Sequence, residues 1–333
     1  MPRQADMVDV QATIVVVTGA TGFVGRHLCR HLARAGHRVR ALARAVPEHA
    51  PQGVHYVAMG DLERVTERAL GDALDGAGAV VHLAGRAHVL DDRAQDPLAA
   101  YTAANVEVTA RVVAAAVRAQ VSRLVFASSV KVNGETTPPG RPFQPGDAAC
   151  PQDAYARSKA EAERIVLAVG ETSSSMPTVL RLPLVYGPGV RGNFARLLEA
   201  IASQQRLPVG AIDNRRSIAY VGNVCSAIEA VLGATSSVRG VHFVADEEPV
   251  CTPQLVRALG EAMAMPARIS HVPVPLLRLA AAVLRRSAEV QRLASSLEVD
   301  TSSLRAATGW RPSHTLAQGL AETAMWWRAH HSI

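Results

Sequence analysis

The chain has 333 residues, 48% hydrophobic and 19% charged, with a formal net charge of +6 at pH 7. That is enough to bury a sizeable core and to divide into two lobes, so a soluble globular protein is expected. With aromatics at only 4% and the arginines dispersed, the basic excess suits an anionic small molecule better than nucleic acid, which is not expected as a partner.

Residues 1–11 carry Asp6 and Asp9, and the ATIVVV run that follows is too short and wrongly flanked for a signal peptide or a membrane span, so a cytoplasmic location is expected. Residues 13–18 form a continuous β-branched run, the pattern of a strand buried on both faces of a parallel sheet. A helix is predicted over 22–35, and short apolar segments at 39–42, 54–58, 79–84 and 124–128 repeat the theme, separated by helical stretches such as 99–119. The alternation predicts an α/β fold, a Rossmann-type doubly wound parallel sheet.

After Ser129 a loop rich in proline and glycine, 132–153, leads into a helix carrying Tyr155 and Lys159. A strand over 178–182 precedes the turn Tyr186-Gly187-Pro188-Gly189, and helical segments broken by prolines run on to Trp326 and Trp327. The expected division is a dinucleotide-binding domain over 1–180 and a smaller, mainly substrate-binding C-terminal lobe over 181–333, with part of 215–250 returning to the first domain. The apolar stretch 275–284, beside Arg285 and Arg286, reads as a packed helix rather than one lying on a membrane.

Cys29, Cys150, Cys225 and Cys251 form no C-x-x-C pair and are expected as reduced thiols. His27 and His31 share a helix face at metal-ligand spacing without a third ligand in view, so no metal is expected and that face reads as solvated. His82, inside VVHLAG, reads as a packed histidine.

Chemistry enters with the turn Gly19-Ala20-Thr21-Gly22-Phe23-Val24-Gly25, directly after the first strand. Gly19 permits the tight turn, Gly22 lets a pyrophosphate approach free N–H groups at a helix N-terminus, and Gly25 lets helix and strand pack closely. Tyr155 and Lys159, four apart, share one helix face. Tyrosine ionises near 10, so acid–base work at neutral pH needs a stabilised phenolate, which an adjacent ammonium provides.

The G-x-x-G-x-x-G spacing, VVHLAG, Asn105 in NVEVT and Tyr155-Ala-Arg-Ser-Lys159 resemble the extended branch of the short-chain dehydrogenase/reductase superfamily, the NAD(P)-dependent nucleotide-sugar epimerases and dehydratases, over nearly the whole chain. The resemblance implies an enzyme in which Ser129 bonds the reacting sugar oxygen, with Ser128 the neighbouring candidate, Tyr155 acts as acid or base, and Lys159 also holds the nicotinamide ribose. Further cofactor contacts are implied at Thr21, Phe23, Val24, Leu62, Leu83, Ala84 and Gly85, with Asp61 on the adenine. Val130 and Lys131 stand where sugar 4,6-dehydratases carry Asp-Glu, so elimination of water is not expected.

Ala43 occupies the position of the acid that would hold the ribose hydroxyls of NAD, and Arg44 suits a 2′-phosphate; NADP(H) is therefore placed ahead of NAD(H). Contacts to a UDP-sugar are implied at Ser129, Lys131, Asn193, Phe194 and Arg216, with Arg215 as an alternate to Arg216. SSVKVNGE, GRPF, LVYGPGVRGNF and NRRS are most similar to UDP-sugar reductases and epimerases of bacterial polysaccharide and lipopolysaccharide synthesis. The expected activity is reduction at C4 of a UDP-4-keto-6-deoxy-(N-acetyl)hexosamine. The alternative is a UDP-hexose 4-epimerase acting on UDP-glucose or UDP-N-acetylglucosamine, and a more remote one is an NADP-sensing regulator, which would not need Ser129, Tyr155 and Lys159. A homodimer through helices of the first domain, with the apolar 106–119 helix as a compatible surface, and no stable membrane insertion complete the expectations.

Overall fold

In the computed structural model, which describes residues 13–87, 96–283 and 287–331, the first β-branched run is strand β1 (Ile14–Thr18). It is followed by α1 (Phe23–Arg34), β2 (Arg38–Ala43), β3 (Val54–Ala58), α2 (Glu67–Leu74) and β4 (Ala77–His82). The helix predicted over 99–119 comprises α3 (Pro97–Tyr101), a π-helical turn (Thr102–Glu107) and α4 (Val108–Arg118). Beyond it come β5 (Arg123–Ser129), a 3₁₀ turn (Val130–Val132), α5 (Ala154–Thr172), β6 (Met176–Leu182) and β7 (Leu184–Tyr186). The remainder is α6 (Asn193–Ala202), β8 (Ile218–Tyr220), α7 (Val221–Gly233), β9 (Gly240–Phe243), α8 (Thr252–Ala262), α9 (Val274–Val283), α10 (Ser287–Ala294), α11 (Ser302–Thr308) and α12 (Leu316–His330).

One sheet has the order β3-β2-β1-β4-β5-β6-β9, with every neighbouring pair parallel. The chain winds outward from β1 through β2 and β3, then returns to start β4 on the other side of β1. This reversal opens a crevice at the carboxyl ends of β1 and β4, the place where open α/β sheets receive ligands. One hydrophobic cluster gathers α1, α7 and much of the C-terminal part on one face of the sheet. The other gathers α2, α4 and α5 on the opposite face. β9 pairs with β6 and α7 packs on α1, while β7 and β8 form a separate two-stranded sheet.

Several elements differ from their sequence patterns. The apolar residues of α4, Val108, Val112, Val113, Ala115 and Ala116, are buried within the chain, so their composition is accounted for by the core without a second subunit. His27 and His31 are not on a solvated face: His27 Nε2 meets the Pro188 carbonyl at 2.7 Å and His31 Nε2 meets Glu229 at 2.6 Å, because α1 packs against α7 and the turn after β7. Helix α9 is not a packed core helix, since of its ten residues only Ala281 is buried. The segment 1–11, Leu284, Arg285 and Arg286 lie outside the described residues. Among the described residues no helix is long and apolar enough to cross a membrane, no group of His, Cys, Asp and Glu could hold a metal ion, and all four cysteines are free.

Helix α5 is fixed at both levels that matter for the site. Its N-terminus is capped by Asp153, whose carboxylate accepts from Ala156 N at 2.7 Å. One turn beyond Lys159, Glu163 accepts from Arg181 of β6 through Nε (3.0 Å) and a terminal nitrogen (2.6 Å), and also from the Ser128 hydroxyl. The other terminal nitrogen of Arg181 donates to Asn133 Oδ1 at 2.9 Å, and both partners of the ion pair are buried. Replacing Glu163 by alanine leaves a buried, uncompensated guanidinium, and the expected loss of about 3–5 kcal/mol is measured by denaturant unfolding. A loss below about 1 kcal/mol, the range of exposed pairs, would show that water reaches Arg181 freely.

Candidate active site

The first part of the site is the turn between β1 and α1. Gly19 has φ +66°, and a Cβ there would lie 2.7 Å from Ala84 N, so the turn presses directly on the loop after β4. A Cβ on Gly25 would lie 2.2 Å from Gly19 O, which is why the helix approaches the strand this closely. Gly22 is the N-cap of α1, and no side chain caps that end. The result is a helix N-terminus with its amide groups and positive dipole end offered to an anion at the crevice. That cradle fits the pyrophosphate of a dinucleotide.

The loop after β4 is held by a buried polar chain. Thr18 Oγ1 accepts from Leu83 N (3.2 Å) and Ala84 N (3.1 Å) and lies 2.7 Å from His82 Nδ1. With its acceptor sites used by the two amides, the threonine proton goes to Nδ1, which places the imidazole proton on Nε2, 3.0 Å from Thr109 Oγ1. Thr109 in turn donates to Asn105 O at 2.5 Å. Burial pushes His82 down to about 3, so it is a neutral packed ring, as its sequence setting suggested.

Asn105, on the π-helical turn, closes the frame. Its Oδ1 accepts from Arg86 N (2.7 Å), and its Nδ2 donates to Arg86 O (3.1 Å) and Ser158 Oγ (2.9 Å). It therefore ties the loop holding Leu83, Ala84 and Gly85 to the helix that bears Tyr155 and Lys159. The sequence offered it only as a family mark; the extra residue of a π-turn, often found at functional sites, leaves no period that a pattern could show.

At the other side of the crevice the structure brings Ser129, Tyr155 and Lys159 together. Ser129 ends β5, and its hydroxyl stands close enough to the Tyr155 phenol to favour the ionised form. Tyr155 also packs edge-on against Tyr101, ring centroids 5.8 Å apart. The Lys159 ammonium donates to Ala127 O at 2.7 Å and stands 3.9 Å from the centre of the Phe126 ring. In this arrangement burial dominates both titrations: it pushes the phenol up to about 12 and the amine down to about 7. The sequence led one to expect the ammonium to lower the phenol directly. Instead, the side-chain group that lowers it is Ser129, while Asp153 and Tyr101 raise it further.

Lys131 lies beside this group with its charge already engaged, 2.7 Å from Asp153 and 2.9 Å from Glu135. Arg216 is half-buried, feels the charge of Glu135, and donates to the carbonyls of Arg292 (2.6 Å) and Ser295 (2.9 Å). Arg215 points instead to Glu298, at 2.9 Å. The Phe194 ring is buried and stacks on Tyr186, which leaves only its backbone to meet a ligand, and Asn193 is exposed at the start of α6. Arg44 is exposed just past β2, where Ala43 is buried, and Asp61 accepts from Glu63 N in the loop after β3. Leu62, next to it, is fixed through its carbonyl by Arg111.

Residues 15–245 match the NAD dependent epimerase/dehydratase family. The chain is 34% identical to a UDP-glucose 4-epimerase of Vibrio cholerae, over 93% of this chain and 94% of that one. It is 29% identical to an N-acetyl-alpha-D-glucosaminyl-diphospho-ditrans,octacis-undecaprenol 4-epimerase of Escherichia coli O157:H7, over 95% and 96% of the two chains. Among solved structures it is similar to MoeE5 in complex with UDP-glucuronic acid and NAD, with a TM-score of 0.77 at 25% identity over 95% of this chain and 99% of that one. A glycine turn open to a dinucleotide, a serine–tyrosine–lysine group across the crevice, and a family match over most of the length lead to one conclusion: the chain is an enzyme of the NAD-dependent epimerase/dehydratase family, in the extended branch of the short-chain dehydrogenases/reductases.

Proposed function

We propose that the chain is a UDP-hexose 4-epimerase, interconverting the two configurations at C4 of UDP-glucose or UDP-N-acetylglucosamine. The observation that carries this is the approach of the Ser129 hydroxyl to the Tyr155 phenol, with Lys159 on the same helix, in a chain similar over 93% of its length to a protein named UDP-glucose 4-epimerase. Bound NAD(P) supplies the acceptor and donor of the C4 hydrogen together with a positively charged ring. Ser129 orients the C4 oxygen, and Tyr155 takes its proton and returns it once the keto sugar has presented its other face. Val130 and Lys131 offer no acid pair for eliminating water, and Lys131 is spent on Glu135 and Asp153. By neutralising Asp153, it also offsets a carboxylate that would hold the phenol up.

Lys159, buried against Ala127 O and Phe126, is pulled down to about 7 and so gives up its proton more readily than an exposed lysine. In its protonated form it favours the phenolate when the site is loaded. Reduction of a UDP-4-keto sugar is the second reading, and Arg44 favours it, since a residue suited to a 2′-phosphate matches NADPH as a consumed reductant. The NAD held by the similar MoeE5 structure favours a tightly retained NAD instead. A homodimer remains part of the proposal from family resemblance alone.

Tyr155→Phe is expected to lower kcat by about 10²–10⁴-fold in an NMR assay of UDP-glucose and UDP-galactose interconversion, while leaving bound nucleotide in place; an unchanged rate would remove Tyr155 from the chemistry. Denaturing the purified chain is expected to release NAD(P), and its chromatographic identity decides the role of Arg44. Stoichiometric NADPH oxidation on a UDP-4-keto-6-deoxy-N-acetylhexosamine, without C4 interconversion of UDP-hexoses, would replace the epimerase by the reductase. Because Lys159 falls from 10.5 to about 7 on folding, the unfolded chain binds the extra proton between these values and stability rises with pH through that window. The difference in unfolding free energy between wild type and Lys159→Met is expected to shift in favour of wild type from pH 7 to pH 9 in the nucleotide-free protein, and a flat or opposite trend would show that the amine is not desolvated.

A further inference from the structure

The clamp made by Asn105 has a counterpart one turn before it. Tyr101, the last residue of α3, is buried and, like Asn105, reaches in two directions. Its phenol donates to Ala87 O at 3.3 Å, and the guanidinium carbon of Arg86 stands 5.4 Å from its ring centre, within the range at which an aromatic face holds a cation. On the other side its ring meets that of Tyr155, with centroids 5.8 Å apart and planes at 62°, the edge-to-face geometry that aromatic pairs prefer. Asn105 joins the Arg86 backbone to Ser158. Tyr101 joins the Arg86 side chain and the Ala87 carbonyl to Tyr155, three residues earlier on the same face of α5.

Its own element also fixes Tyr101. Pro97 opens α3, the Asp96 carboxylate caps it by accepting from Ala99 N at 3.0 Å, and the helix runs straight on into the π-helical turn. α3 packs on α5 as well. A ring with a hydroxyl at one end suits this place, because the ring fills buried space while the hydroxyl finds a backbone acceptor. The charged and polar neighbours of Tyr155 act on its phenol: Ser129 favours the ionised form and Asp153, paired with Lys131, opposes it, while Lys159 lies one turn further along α5. Those groups set the charge of the phenol; Tyr101 sets the orientation of the ring that carries it.

We propose that Tyr101 is a positioning residue that holds the Tyr155 ring in the orientation for proton transfer and shields one side of it from water, with Arg86 anchoring Tyr101 to the loop after β4. This role rests on the reading of Tyr155 as the acid or base of a reaction at C4, and is the same for epimerisation and for reduction. Arg86 directly follows Leu83, Ala84 and Gly85, the loop residues implied as cofactor contacts. The aromatic link therefore ties the place of the cofactor loop to the place of the reactive phenol. Such a link matters because moving an acid–base group by about 1 Å costs about 10²-fold in rate.

The test is steady-state kinetics against pH for Tyr101→Leu, Tyr101→Phe and Arg86→Met, on whichever of the two reactions the wild type catalyses. Tyr101→Leu is expected to lower kcat about 10–10²-fold with KM for the UDP-sugar little changed. The pH limb set by the Tyr155 phenol is expected to move to lower pH in that variant, since burial and Tyr101 both hold the phenol up. Tyr101→Phe, which keeps the ring, is expected to retain most of kcat. Arg86→Met is expected to lower kcat less than Tyr101→Leu does, and to add nothing in the Tyr101→Leu background. Wild-type kcat and limb in Tyr101→Leu overturn the proposal, as does an equal loss in the Leu and Phe variants with the limb unmoved, which would make Tyr101 merely structural. Losses from Tyr101→Leu and Arg86→Met that simply add overturn the anchoring. If Tyr101→Leu does not fold, Arg86→Met decides alone: lower kcat at unchanged KM supports the link, and wild-type kinetics overturn it. Full turnover by Tyr155→Phe would instead remove the reading on which the role rests, and the role with it.

Discussion

The placement of helix α5, which carries Tyr155 and Lys159, depends on one buried carboxylate. Glu163 gathers the Arg181 guanidinium and the Ser128 hydroxyl, and through Arg181 it reaches Asn133. Three pieces of chain that must agree on where Ser129, Tyr155 and Lys159 stand are thereby bound to one point: the end of β5, the loop after it, and α5. Taking an ion pair out of water is expensive, and an apolar substitute would give as much or more stability. What the apolar substitute would lack is direction. A guanidinium fork accepts a carboxylate in few geometries, so the pair fixes the rotation of α5 about its axis as well as its depth.

The same desolvation shapes the chemistry. Lys159 and Tyr155 stand in a setting where each is pushed toward its neutral form, and the nearest fixed partner of the amine is a strand carbonyl rather than the phenol. Such a site leaves the phenol neutral and the amine only partly charged until charge arrives with the ligands. Since interactions strengthen in a low dielectric, a modest change in nearby charge then moves the phenol far. The ion pair with Lys131 offsets part of the opposing charge of Asp153.

On the cofactor side the precision comes from backbone contact. Gly19 and Gly25 are tolerated and required because carbonyl and amide atoms of neighbouring segments occupy the space where a Cβ would sit. The polar chain from Thr18 through His82 and Thr109 to Asn105, and on to Ser158, satisfies its buried groups and links β1, β4, the π-turn and α5. A network with partners filled in this way favours a single arrangement of the two walls of the crevice.

The alternation of buried strand and amphipathic helix, the glycine turn and the Tyr155–Lys159 spacing were legible in the chain because each is a local rule: two-sided burial selects β-branched runs, a tight turn selects glycine, and 3.6-residue periodicity puts i and i+4 on one face. The place of Ser129 was legible only through resemblance. Glu163 and Arg181 were not, since an ion pair 18 residues apart has no periodic signature, nor was the clamp made by Asn105. His27 and His31, and the exposed side of α9, show the same limit: an apolar or polar face is visible in the sequence, but what stands opposite is not. Sequence determined which elements form and which side chains can do chemistry; tertiary structure alone decided which of them meet, which charges are desolvated, and which faces are left open, because burial and pairing are properties of neighbours brought together by the fold.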